Sequence, residues 1–117
     1  MNITEPAITV KINQTYREGM SSGELYEISR GIWKIDKRRR DTIRYVLAVA
    51  DGVVKEVYEA KRWQDAGTDR YQFRVHAPSD LRDRSEFVGE VAPAAVRDKY
   101  IGRPFKSYQT VNYFNCD

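Results

Sequence analysis

A two-residue turn at the centre of the chain constrains the fold more than any other feature. Asp51-Gly52 follows the apolar run Thr42-Ile43-Arg44-Tyr45-Val46-Leu47-Ala48-Val49-Ala50 and precedes Val53-Val54-Lys55-Glu56-Val57-Tyr58-Glu59-Ala60. A type I′ turn requires positive φ at both central positions, and Asp-Gly accepts that while matching the twist of the paired strands. The middle of the molecule is therefore expected to be an antiparallel hairpin.

The flanking sequence adds short elements of the same kind. Residues 7–12 (Ala-Ile-Thr-Val-Lys-Ile) alternate branched apolar and other side chains, as a strand does. Ser21-Ser22-Gly23-Glu24 fits a capping box, predicting a helix over about residues 22–29 with Leu25, Ile28 and Tyr26 inward. Residues 30–35 read as a strand around Ile32 and Trp33, and Asp36 as the cap of a turn through residues 37–41. Residues 61–68 read as a polar connection around Trp63, and the period-two pattern of residues 70–75 as another strand. Residues 76–84 form a polar link and residues 86–91 a strand. Pro93 opens a helix over about residues 93–100 that stops at Gly102 and Pro104. Residues 105–108 and 111–114 are expected to close the sheet.

About seven short strands with two or three small helices describe an α+β protein, a small, mostly antiparallel, partly open β-barrel. The regular strand–helix alternation of a doubly wound sheet is missing. A chain of 117 residues suits one domain spanning residues 1–117.

Composition narrows the function. A charged fraction of 32% and a mean hydropathy of −0.68 argue against a membrane protein, and no apolar run nears the roughly 20 residues of a spanning helix. The start, Met1-Asn2-Ile3-Thr4-Glu5-Pro6, has no basic or apolar signal region, and the one cysteine, Cys116, can form neither an internal disulfide nor a Cys-based zinc cluster. A soluble, cytoplasmic protein without cofactor, metal or membrane partner is the expectation.

The formal charge of +3 is unevenly spread. Residues 30–44 carry seven basic side chains (Arg30, Lys34, Lys37, Arg38, Arg39, Arg40, Arg44) against Asp36 and Asp41, whereas residues 1–29 are net acidic and residues 45–117 neutral. A dense basic run of this kind is a candidate phosphate-contacting surface, with a solvated charged loop as its bland alternative. Trp63 stands among Lys61, Arg62 and Gln64, and Trp33 beside Arg30 and Lys34. Aromatics among bases suit a nucleobase-stacking platform, and both tryptophans have the alternative of capping the core. Tyr108 and Asn112 lie in an amide- and aromatic-rich C-terminal stretch, where a side-chain amide offers a donor and an acceptor to a base edge or simply closes a turn. His76 and Cys116 form no recognisable nucleophilic pair, and the seven glycines make no phosphate-cradling motif.

Arg30-Gly31-Ile32-Trp33, the hairpin from Tyr45 to Tyr58, Glu86-Phe87-Val88-Gly89-Glu90-Val91 and the helix over residues 96–100 together resemble PUA-like barrels, the superfamily of ASCH and EVE domains. The likeness spans roughly residues 25–115 and is one of pattern and strand order. It implies a pseudo-barrel whose cleft binds RNA, or a modified base everted from RNA or DNA. Some ASCH-type proteins are nucleoside amidohydrolases using Lys, Thr and Glu, roles in which Lys37, Thr42 and Glu56 or Glu90 can be imagined. Their motif is not matched here, so the activity is not carried over.

The leading expectation is a non-catalytic nucleic-acid-binding module: residues 30–44 contact phosphates, and Trp33, Trp63, Tyr108 and Asn112 line a base-sized pocket. Simultaneous replacement of Arg38, Arg39 and Arg40 by alanine should then weaken binding. The alternatives are a protein-interaction domain pairing through an exposed edge at residues 105–114, and a small hydrolase in which Lys, Thr and Glu converge.

Overall fold

The computed structural model describes residues 1–116. The chain forms an α+β fold with a curled, half-barrel sheet of six strands and three helices. The strands are β1 (Ala7–Lys11), β2 (Gly31–Trp33), β3 (Tyr45–Ala50), β4 (Val53–Asp65), β5 (Ser85–Val91) and β6 (Val111–Phe114). The helices are α1 (Ser22–Arg30), α2 (Pro78–Leu81) and α3 (Ala94–Tyr100). The sheet order is β2-β5-β4-β3-β1-β6, with only β1 and β3 parallel. No helix among the described residues is long and apolar enough to cross a membrane.

The central hairpin forms as the turn chemistry requires, with Asp51 at φ 54° and Gly52 at φ 73°, and Ala50 paired with Val53. Every residue of β3 is buried because the strand is covered on both faces. Val46, Ala48 and Ala50 join Ile8, Val10, Ile28 and Phe87 in one apolar cluster. Tyr45, Leu47 and Val49 join Val54, Val57 and Tyr100 in the other. Helix α1 thus closes one face and α3 the opposite one. Ser21 caps α1 by accepting a 3.2 Å bond from the Glu24 amide.

Four expectations are corrected. Strand β4 does not stop at residue 60 but runs to Asp65, through a register shift between Ala60 and Arg62, because β5 continues to offer a ladder partner. Residues 70–75 form no strand despite their alternation. The outer edge of β5 is already taken by β2, and the amides of Gln72 and Phe73 are captured instead by the Glu27 carboxylate of α1, at 2.8 and 2.7 Å. Residues 105–108 likewise form no strand, leaving six rather than seven. The expected strand over residues 30–35 shrinks to three residues, with Arg30 ending α1 and Ile32 at φ 68°. Positive φ at a β-branched residue is a genuine outlier, held only where the surroundings over-determine it.

Candidate nucleic-acid interface

The basic run is the first candidate, and folding changes its character. Asp36 caps the turn as expected, its Oδ1 accepting the Arg38 amide at 2.9 Å. Arg38 is 91% exposed and its side chain lies 3.4 Å from the same carboxylate. Strand β4 then brings in acids from a distant part of the chain. Asp65 receives Arg40 at 2.9 Å and Lys37 at 3.3 Å, and Glu59 faces Arg44 at 3.7 Å. The Arg40 and Lys37 contacts hold the Asp65 carboxyl below the usual range. Arg40 also donates to Ser85 Oγ at 3.2 Å. Arg39 lies over the Tyr113 ring, 4.5 Å from its centroid, and Lys34 is exposed. The run is therefore a salt-bridged surface in which acids from β4 are interleaved with the cations.

Arg30 leaves the run altogether. It is buried at the end of α1, 3.2 Å from Glu86 Oε1, 4.0 Å from the Tyr71 ring centroid, and bonded to the Arg70 carbonyl at 3.2 Å. This guanidinium is structural and lies out of reach of a phosphate. The tryptophans follow the core alternative for their indole N–H groups. Trp63 is 8% exposed, donates to the Ile43 carbonyl at 3.0 Å and packs edge-on against Phe87. No base can stack on it. Trp33 is 9% exposed and donates to the Ser29 carbonyl at 2.8 Å, but it does form one wall of a cleft.

That cleft, of about 440 Å³, lies between the end of β1 and the α1–β2 junction. Ile12, Ile28, Ile32 and Trp33 give it an apolar side; Lys11, Asn13, Gln14, Thr15, Thr110, Arg74 and His76 give it a polar one. None of the described lining residues is an acid. A second cleft of about 370 Å³ adjoins it and shares Lys11, Asn13 and Thr110. It is bounded by Phe105, Lys106, Ser107, Tyr108 and Asn112, with Asp51 its one carboxylate among the described residues. The strip between the clefts is rigidly tied. Lys11 donates its amide to the Thr110 carbonyl at 2.9 Å, and Asn13 Oδ1 accepts the amide of Asp51 in the hairpin turn at 3.0 Å. Tyr108 is fully exposed. Asn112 is engaged in part, accepting from Ser107 Oγ at 3.0 Å and donating to Thr9 Oγ1 at 3.2 Å.

Two buried carboxylates position the polar side of the first cleft. Glu86 in β5 is completely buried and accepts from Gln64 Nε2, the Gly67 and Asp69 amides, and the Tyr71 hydroxyl, at 2.7 to 3.0 Å. Burial alone would push its pKa up, but the Asp69 and Gly67 amides, then Gln64 and Tyr71, outweigh it and hold the carboxyl below its ordinary value. Gly31 is required here, because a Cβ on it would meet the Tyr71 hydroxyl at 2.0 Å. Glu27 holds the next residues through the Gln72 and Phe73 amides. Arg74 Nη2 then donates to the carbonyls of Gly31 at 3.0 Å and Glu27 at 3.3 Å. An irregular segment is so strapped in place, and it delivers Arg74 and His76 to the cleft. Burial, and then the Arg74 charge, pull the His76 pKa down, so its imidazole is neutral near pH 7.

Of the residues that stand out in the sequence, the structure gathers Trp33, Tyr108 and Asn112 around the joined clefts. Lys37, Arg38 and Arg40 sit apart with Asp36 and Asp65. Lys11, Lys106, Arg74 and His76 are invisible to sequence reasoning as a group, because no spacing links residues 11, 74, 76 and 106. The hydrolase arrangement does not assemble. Lys37 pairs with Asp65, the Thr42 hydroxyl donates to the Arg39 carbonyl, Glu56 is held by Arg97 at 2.6 Å, and Glu90 is exposed near Lys61. Comparison of the chain with family models, curated proteins and solved structures returns no match.

Proposed function

We propose that this protein binds nucleic acid by passing a single strand through the joined clefts, rather than over the basic run. The observation that carries the reading is the meeting of two clefts at Lys11, Asn13 and Thr110, one walled by Trp33 and the other by Phe105 and Tyr108. A strand presents a base and a phosphate at each step, so it needs repeated apolar walls beside repeated cations. Lys11, Lys106 and Arg74 supply the cations against Asp51 alone, and Lys11 and Lys106 have no carboxylate partner among the described residues. The Asn13, Gln14, Thr15 and Thr110 side chains add neutral hydrogen-bonding groups for sugar and phosphate oxygens. Kinship with PUA-like domains belongs to the same proposal, since a half-barrel with a ligand cleft is what that kinship requires.

The test is fluorescence anisotropy with labelled RNA and DNA 12-mers across a salt series. Lys11→Ala with Lys106→Ala should weaken binding and flatten the dependence of log K on log salt by roughly 0.7 for each phosphate no longer neutralised. Absence of binding to both strands at low salt overturns the proposal. A second reading is supported by the sheet order, which among the described residues leaves one side of β6 without a strand neighbour. Addition of a peptide strand there would be blocked by proline at Tyr113 or at Val111, whose amides both point away from β1, with nucleotide binding unaffected.

A further inference from the structure

Among the described residues, four that are not glycine have positive φ: Ile32, Asp51, Asp83 and Asn115. Three of these are Asp or Asn, whose short polar side chains tolerate the left-handed region. Ile32, at φ 68°, is the exception, because a β-branched residue is strongly disfavoured there. Its position is the extra residue of a bulge. Gly31 pairs with Glu86 and Trp33 with Ser85, which leaves Ile32 without a partner in β5. Where a bulge needs a left-handed residue, glycine is the one that adopts it freely. The chain keeps an isoleucine instead, and its neighbours hold the backbone in place. Arg74 Nη2 donates to the Gly31 carbonyl at 3.0 Å, and the Trp33 indole to the Ser29 carbonyl at 2.8 Å.

Core packing does not account for this side chain. Ile32 is half-buried and belongs to neither apolar cluster, whereas Ile28, Trp33 and Ile35 around it all join the first. It lines the Trp33 cleft instead. Strain at a clamped position, with no core contact to offset it, is the mark of a residue kept for a ligand. Resting on the strand-binding reading above, we infer that Ile32 is the seat on which a nucleobase of the bound strand lies, and that it accepts any base. Of the apolar residues lining the cleft, Ile12, Ile28 and Trp33 are 2, 6 and 9% exposed. Ile32 is the more open one, so a ring entering the cleft meets it first. An aliphatic side chain has neither donor nor acceptor. It touches the face of a base, which all bases share, and reads no edge. Lys11 lines the same cleft, with no acid among the described lining residues, so the adjoining phosphate meets a cation.

The test compares a labelled thymidine 12-mer with an abasic 12-mer of tetrahydrofuran phosphates, which carries the same charge and no bases. The wild-type protein should bind the thymidine strand more tightly. Ile32→Asn suits the left-handed backbone better than isoleucine does and removes the apolar surface. It should cut the preference for the base-bearing strand roughly 5-fold, with affinity for the abasic strand and the salt slope unchanged. Ile32→Gly should act alike, whereas Ile32→Val, which keeps a β-branched side chain, should retain most of the preference. An adenosine 12-mer should give the same drop as thymidine. Urea denaturation checks that each variant is folded. Equal binding of the two strands by the wild type, an unchanged preference in Ile32→Asn and Ile32→Gly, or an equal loss on both strands overturns the assignment and leaves the strand-binding reading intact. A drop confined to one base overturns it too. Failure of every oligonucleotide, RNA or DNA, to bind the wild type overturns both.

Discussion

The molecule has two basic regions, and they are opposites. Residues 34–44 are dense in the sequence and dilute in space: Lys37 and Arg40 share Asp65, Arg38 faces Asp36, and Arg44 faces Glu59. Lys11, Arg74 and Lys106 are scattered through the sequence and meet around two adjoining clefts with one acid among the described lining residues. Positive potential thus depends on where the acids go. Strand β4 carries Asp65 and Glu59 to the run, and among the described residues nothing comparable reaches the clefts.

Loss of the support behind the cleft cations should have the largest effect. Glu86→Ala removes the carboxylate that fixes residues 67–71 and leaves Arg30 buried without its counter-charge. Unfolding in urea should show a loss of about 3–5 kcal/mol, the cost of orphaning one partner of a buried pair. The same carboxylate gives a pH signature with a definite sign. Its folded pKa lies below the unfolded value near 4.5, so its stabilisation is fully present above that value and is lost as pH falls below it. Glu86→Gln should flatten the decline of stability on acidification; an unchanged acid limb would show that the strap is not held by this charge.

The next test sets the regions directly against each other. The triple Arg38→Ala, Arg39→Ala, Arg40→Ala variant should lower the salt slope of oligonucleotide binding less than the Lys11→Ala, Lys106→Ala pair, although it removes more charge. Of the three arginines only Arg38 is fully exposed; Arg40 holds the buried Ser85 and Arg39 covers the Tyr113 ring, so the triple variant's denaturation midpoint should fall modestly while the protein stays folded for the binding comparison. A larger loss from the triple variant than from the pair would reverse the comparison and return the phosphate surface to the run.

The smallest expected change is at Ile32. Relief of its left-handed backbone should offset the lost side-chain burial, so Ile32→Gly should stay within about 1 kcal/mol of the wild type. Ile28→Ala, in the same cleft wall but unstrained, should cost roughly 2–4 kcal/mol by comparison.

Much of the scaffold is legible from local pattern. The Asp51-Gly52 turn, the Ser21 cap, strands β1, β3, β5 and β6 and helix α3 all follow from residue preferences that act over a few positions. Pattern misleads where partners are already taken. Residues 70–75 alternate like a strand, yet β2 occupies the edge they would have joined and Glu27 takes their amides. Trp63 sits in a polar stretch that reads as a loop, yet a register shift past Ala60 extends β4 and turns the indole into the core. The cleft is the least legible part. Trp33, Tyr108 and Asn112 stand out in the sequence, but Arg74 and His76 reach the cleft only because two buried carboxylates bend the chain towards it.

The hairpin, the continuous apolar character of β3 and the surplus of positive charge are all written in the amino-acid order, because turn geometry, apolar periodicity and charge counts are properties of short stretches. Which of those charges stay unpaired is settled only in three dimensions. Hydrogen bonds and Coulombic contacts depend on separation in space: the pairing of β4 with β5 and β3 sets Asp65 and Glu59 beside the run, whereas Lys11 and Lys106 stand at the clefts without a carboxylate partner among the described residues.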